Sequence, residues 1–251
     1  MQKATYYLSA MLMVACFTQP ATAQFEGEIT YESYDYNNDQ KENNDEFTLH
    51  ITPDRILLQG EKEYDFMGSM KTEGVLVRLD QQDFVFLTGD ESALKIAKAD
   101  ITSMMNMFGN GNEVSSAAEK YDIQKNRTGE TGEIKGYSAE KFIFRDEEGG
   151  QGDYAEVWMT KAIDVNWGML AEPWGNEDAS TFMNDSFPMD LVFQEKYIPL
   201  LVKTYKGDVL HSGLEVASIN ESRIDRSIVE VPSDVKVLTM QQYLFQKMSN
   251  R

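Results

Sequence analysis

The chain has 251 residues, with 23 Lys+Arg against 42 Asp+Glu and a formal net charge of −19. That acidity repels polyanions at long range, which excludes nucleic acid as a partner and argues against anionic lipid headgroups. The single cysteine, Cys16, leaves no basis for a disulfide framework or a multi-thiolate zinc site.

The first element is an address. Lys3 gives a short positive start, residues 4–17 form an apolar run broken only by Thr5 and Ser9, and Ala21-Thr22-Ala23 precedes Gln24. This is the charged, apolar and small-residue order of a cleaved secretory signal. The run falls short of the ~20 apolar residues of a membrane span. The expected organisation is a signal peptide at 1–23 and a single envelope domain at 24–251. Lys3 is the only charged residue before Gln24, so cleavage leaves 22 basic against 42 acidic side chains, a net charge near −20. Met13-Val14-Ala15-Cys16 also admits a lipobox reading, in which Cys16 becomes a lipidated first residue. Either way the expected location is outside the cytoplasm: the periplasm or outer membrane of a Gram-negative cell, or the medium.

Period-2 patterning then dominates. Residues 25–31 and 47–51 read as half-buried strands, with the acidic, Asn-rich 37–46 as a solvated loop between them. A short strand follows at 55–59. Residues 74–80 and 83–88 flank Gln81-Gln82 as a hairpin, and 93–97 adds a strand. Residues 101–108 read as a short helix and 109–116 as a glycine-rich break. Three more strands are expected at 121–125, 137–145 and 154–160, with the glycines at 149, 150 and 152 turning the last two back on each other. Residues 162–187 are irregular or helical. Strands return at 197–205, 210–220 and 227–231, and a short helix at 239–246 closes the chain. Many strands with few helices, and turn signals between neighbours, imply a mainly β, α+β fold on one large, largely antiparallel sheet.

Residues 84–87, 142–144 and 157–159 are apolar on both strand faces, which a sheet with one wet face does not require. A covering layer is therefore expected, and Trp158 is expected in the core.

Three segments carry a family resemblance: Gly74-Val-Leu-Val-Arg-Leu-Asp80 running into 84–87, Gly132 to Phe142 followed by Val157-Trp-Met-Thr-Lys161, and Ile198 to Lys203 with Val229 to Lys236. Their order resembles the bacterial envelope family catalogued as domain of unknown function 4412. That resemblance implies a curved antiparallel sheet with helices in its concavity, similar to the periplasmic lipoprotein carriers. It implies no particular activity. Ala139 stands where the family often has cysteine, so thiol chemistry is not implied here.

Chemistry is sparse. His50 and His211 are the only histidines, and there is no nucleophile elbow, zinc-protease motif or phosphate loop. No catalytic residue, metal ligand or cofactor is expected. Asp35, Asn37, Asp39 and Glu46 mimic calcium-loop spacing, but Gln40 replaces the sharp-turn glycine. Two Met- and Trp-rich clusters stand out: Met104, Met105, Met107 and Phe108, and then Trp167, Met169, Trp174, Phe182 and Met183. Methionine adapts to varied apolar shapes. With Trp158, the residues Met104, Met105, Met107, Phe108, Trp167 and Trp174 are the candidate lining of a site for lipid or lipoprotein acyl chains. Residues 104–108 are the expected movable cover. The other reading is an envelope interaction module whose core is filled by these same residues and which docks another protein. An open concavity of ~300 Å³ or more separates the first from the second.

Overall fold

The computed structural model describes residues 24–37, 40–66, 70–88, 92–100, 122–145, 152–171 and 189–249. The signal segment, the 101–108 helix, the 109–116 break and the candidate residues Met104, Met105, Met107, Phe108 and Trp174 lie outside them.

Twelve described strands form one sheet. They are β1 (Gly27–Asn37), β2 (Gln40–Ile51), β3 (Arg55–Phe66), β4 (Met70–Arg78), β5 (Asp83–Leu87) and β6 (Ser92–Ala97), then β7 (Arg127–Ile134), β8 (Tyr137–Arg145), β9 (Tyr154–Thr160), β10 (Ile198–Lys206), β11 (Val209–Glu221) and β12 (Lys236–Thr239). Helices α1 (Met189–Gln194) and α2 (Met240–Ser249) accompany them, and residues 98–100 are also helical. The spatial order is β12-β6-β5-β4-β3-β2-β1-β11-β10-β9-β8-β7. Every pairing is antiparallel except β12 with β6. β1 is central, held on one side by β2 and on the other by β11, with Gly27 opposite both Ile51 and Glu221.

Alternation along each strand gives the sheet two distinct faces. Ile29, Tyr31, Leu49, Ile51, Phe84, Phe86, Phe142, Phe144, Val157 and Met159 belong to one buried cluster. Strands from opposite ends of the order meet in it, as the curvature of the sheet requires. The connection after β9 and helix α1 fill this inner face with Ile163, Val165, Trp167, Met169, Val192 and Phe193.

The outer face has a smaller apolar layer. Leu57, Leu76, Val85 and Ala93 project from β3 to β6 and are covered by Ile224 and Val229 of the chain running towards β12. Arg55 fastens that run: Nη1 donates to the Val229 carbonyl at 3.2 Å and pairs with Glu230. At residues 84–87, therefore, the doubly apolar pattern does mark a covered sheet.

Several local expectations are corrected. The 37–46 loop is strand nearly throughout, with Tyr36 opposite Lys41 and Asn37 opposite Gln40, because ladder pairing overrides a polar composition. Residues 122–126 form a turn, closed by the Lys125 N–H donating to the Asp122 carbonyl at 2.9 Å, not a strand. Residues 226–229 are a 3-10 turn. Asp225 caps it by accepting from the Ser227 N–H, which competes with extended backbone there. Strands β7 and β12 were not anticipated.

On the outer face, the ring of Tyr34 lies over Gly213. A Cβ at residue 213 would sit 2.4 Å from the ring's Cζ, so only glycine fits. Burial, helped by the Glu215 carboxylate, pushes the Tyr34 phenol up to about 12. Burial also raises Tyr31, whose hydroxyl donates to the Pro199 carbonyl at 3.1 Å, well above the ordinary value. The fold favours both neutral phenols. Their contribution is fully present below pH 10 and is lost as pH rises from about 10 towards 12, where the unfolded chain ionises first, at up to about 1.4 kcal/mol per pH unit for each. Tyrosinate absorbance and loss of the native circular dichroism are expected to rise together in that window. Complete titration of all tyrosines by about pH 11.5 with the fold intact would contradict this.

Candidate functional site

The structure separates the candidate residues it describes. Trp167 is buried, 4% exposed, and its ring stacks on Phe193 with centroids 3.9 Å apart and planes 22° from parallel. Met169 is buried in the same layer. Trp167 and Met169 are thus central plugs of the inner face. Among the described residues, no acceptor meets the buried Trp167 Nε1.

Trp158 is elsewhere. On β9, Ala155, Val157 and Met159 are buried, whereas Tyr154, Glu156 and Trp158 alternate with them on the outer face. The expectation that Trp158 is core is therefore corrected: it is half-buried. Its indole crosses β8 to reach β7, where a Cβ on Gly132 would meet Cζ3 at 3.0 Å. Gly132 pairs with Ala139, so two small residues form the recess that receives the ring. The doubly apolar signal at 157–159 came from this shelf, not from a second layer. Trp158→Ala is expected to cost about 1–2 kcal/mol, below the ~3–5 kcal/mol of a buried aromatic. A loss above 3 kcal/mol in urea denaturation would put the ring back in the core.

Open space lies at the β12 edge. Helix α2 follows β12 directly through a capping box. The Thr239 N–H donates to Gln242 Oε1 at 2.9 Å, and the Gln242 N–H donates to Thr239 Oγ1 at 3.4 Å. Met240 and Tyr243 pack against the inner cluster. That leaves Gln241, Gln242, Phe245 and Gln246, at helical spacings of one, four and five, on an adjacent stripe. Facing them are Lys236 and Leu238, two apart on β12 and therefore on one side of the strand. These six residues line a groove of about 450 Å³. Leu238 is 2% exposed and forms its floor, while Phe245 is 69% exposed and forms a wall.

Sequence reasoning missed this groove. Its lining is glutamine-rich, and β12 lacks a long alternating pattern. The Thr239-x-x-Gln242 capping box was the available signal.

The histidines do not converge. His50 Nδ1 lies 3.1 Å from Glu28 Oε1, and His211 is exposed on β11. Among the described residues, no three His, Cys, Asp or Glu side chains are placed to hold a metal ion. No described helix is long and apolar enough to cross a membrane.

The architecture defines a mainly β protein built on a large curved, mostly antiparallel sheet with few short helices. No family model and no curated protein matches the sequence. Solved structures with some likeness include PNGF-II in two crystal forms. In the C2 form the TM-score is 0.44 at 14% identity over 90% of this chain, and in the P21 form it is 0.46 at 17% over 89%. This chain spans a third of the length of PNGF-II, 33% in each comparison. A LolA superfamily protein from Nitrosomonas europaea aligns at a TM-score of 0.28 and 5% identity, over 83% of this chain and 91% of that one. At such values neither likeness carries an activity across.

Proposed function

We propose that this is a non-enzymatic, exported protein of the cell envelope that binds a hydrophobic ligand, a lipid or acyl chain, in the groove between β12 and α2. The single observation behind this reading is that groove: about 450 Å³, floored by Leu238 and walled by Phe245. Its volume lies within the ~300–1,000 Å³ of ordinary ligand sites. Among the described residues the centre of the concave face is filled by Trp167, Met169 and Phe193, which on the expected criterion favours the docking module, and the ligand reading rests on the edge groove instead.

The test is native mass spectrometry of protein purified from its own envelope, with binding of a fluorescent fatty acid by the full chain. A co-purifying apolar ligand, and fluorescence binding weakened by Phe245→Ser, are the expected results. Absence of both would overturn the ligand reading. The filled centre of the inner face would then favour the second reading, an envelope module that docks another protein.

A further inference from the structure

We infer that the β12–α2 groove selects single-chain amphiphiles with an anionic head, long-chain fatty acids above all, and that Lys236 receives the carboxylate. This rests on the groove being the ligand site. Lys236 is the only charged residue among the six that line it. It is exposed and meets no acidic partner among the described residues. Leu238 lies two residues further along the same strand face, about 6–7 Å away at the strand repeat. The cation therefore stands at one end of an apolar floor, which is the layout an amphiphile presents from head to chain.

The surrounding charge agrees. From Lys236 to Arg251 the sequence has no Asp or Glu, although the whole chain carries 42. That stretch holds Lys236, Lys247 and Arg251. The nearest acid before it is Asp234. In a protein with a net charge of −19 this stretch reverses the sign along the sequence. Gln241, Gln242 and Gln246 add hydrogen-bonding groups without charge. The groove is bounded by one strand face and one helix face, which suits one chain in file. A neutral alcohol would fill the same trough and leave Lys236 without an anionic partner. A charge-assisted contact favours the carboxylate.

The test uses the full chain, an uncharged fluorescent probe (N-phenyl-naphthylamine) and two competitors of equal chain length, palmitate and hexadecanol. Palmitate is expected to displace the probe at about tenfold lower concentration than hexadecanol, a gap that narrows in high salt. Lys236→Gln should bring the two together, while Phe245→Ser should weaken both alike. Circular dichroism of each variant checks the fold, and the exposure of both side chains keeps that risk small. Equal displacement by the two competitors in the unaltered protein would overturn the selection for anions and leave the hydrophobic-ligand reading standing. A preference that survives Lys236→Gln would overturn the role of Lys236. Failure of the probe and of both competitors to bind would overturn the inference and the reading beneath it together.

Discussion

Asp83→Ala is expected to destabilise the protein by about 3–5 kcal/mol, measured by urea denaturation. Asp83 and Arg78 form a two-pronged pair beside the β4–β5 turn, with Nε to Oδ1 at 2.7 Å and Nη2 to Oδ2 at 2.6 Å. Their side chains are 7% and 13% exposed. Surface pairs contribute little, because water screens both the pair and its loss. This pair is largely shielded, so removing the carboxylate strands a guanidinium that water cannot fully reach. Replacing both partners with apolar residues of similar volume should recover most of the loss, since desolvation of two charges offsets much of their attraction. A single-variant cost below 1 kcal/mol would mean that the pair is solvated.

Trp167→Ala should cost a similar ~3–5 kcal/mol, because it empties the space against Phe193 on the filled inner face. Trp167→Phe separates packing from polarity. The smaller ring keeps most of the stack but deletes the N–H, which meets no acceptor among the described residues. An unsatisfied buried donor costs about 1–3 kcal/mol. The Phe variant is therefore expected to lie within about 1 kcal/mol of the parent, with lost contact area offset by the removed donor. If it falls as far as the Ala variant, the indole N–H has an acceptor in the native protein, outside the described residues.

Much of the fold was legible where burial and alternation coincide. Residues 137–145 and 154–160 match β8 and β9 because Phe142, Phe144, Val157 and Met159 face the core at every second position. β7 was illegible for the complementary reason. Arg127–Ile134 is exposed almost throughout and is held at the sheet edge by β8, so no hydrophobic period marks it. β12 is four residues long and pairs with β6, a strand distant in sequence. Such an element is set by tertiary contact rather than by local preference.

The candidate site shows how one signal can have two causes. Apolar residues on both faces at 84–87 reflect a second layer that includes Ile224 and Val229. The same pattern at 157–159 reflects one tryptophan lying across a recess at Gly132. Nothing in a single sequence separates a covered strand from a side chain that covers its neighbours. Trp167 and Met169 were read as apolar and gathered, and the structure does gather them, but as filling. The groove at Lys236, Leu238 and Phe245 needs both a strand and a capped helix to exist, and only the helix was anticipated.

The central place of β1 has a consequence for timing. Its ladder to β11 sets Gly27 against Glu221 and Asp35 against Ser212. A ribosome adding ~5–20 residues per second takes roughly 10–40 s to supply that partner. Until then β1 can zip only to β2, and the two halves of the sheet have no seam to join them. Long-range pairing of this kind is slow to close even in a finished chain. The polypeptide thus remains half-assembled until β11, near the end of the chain, has been made.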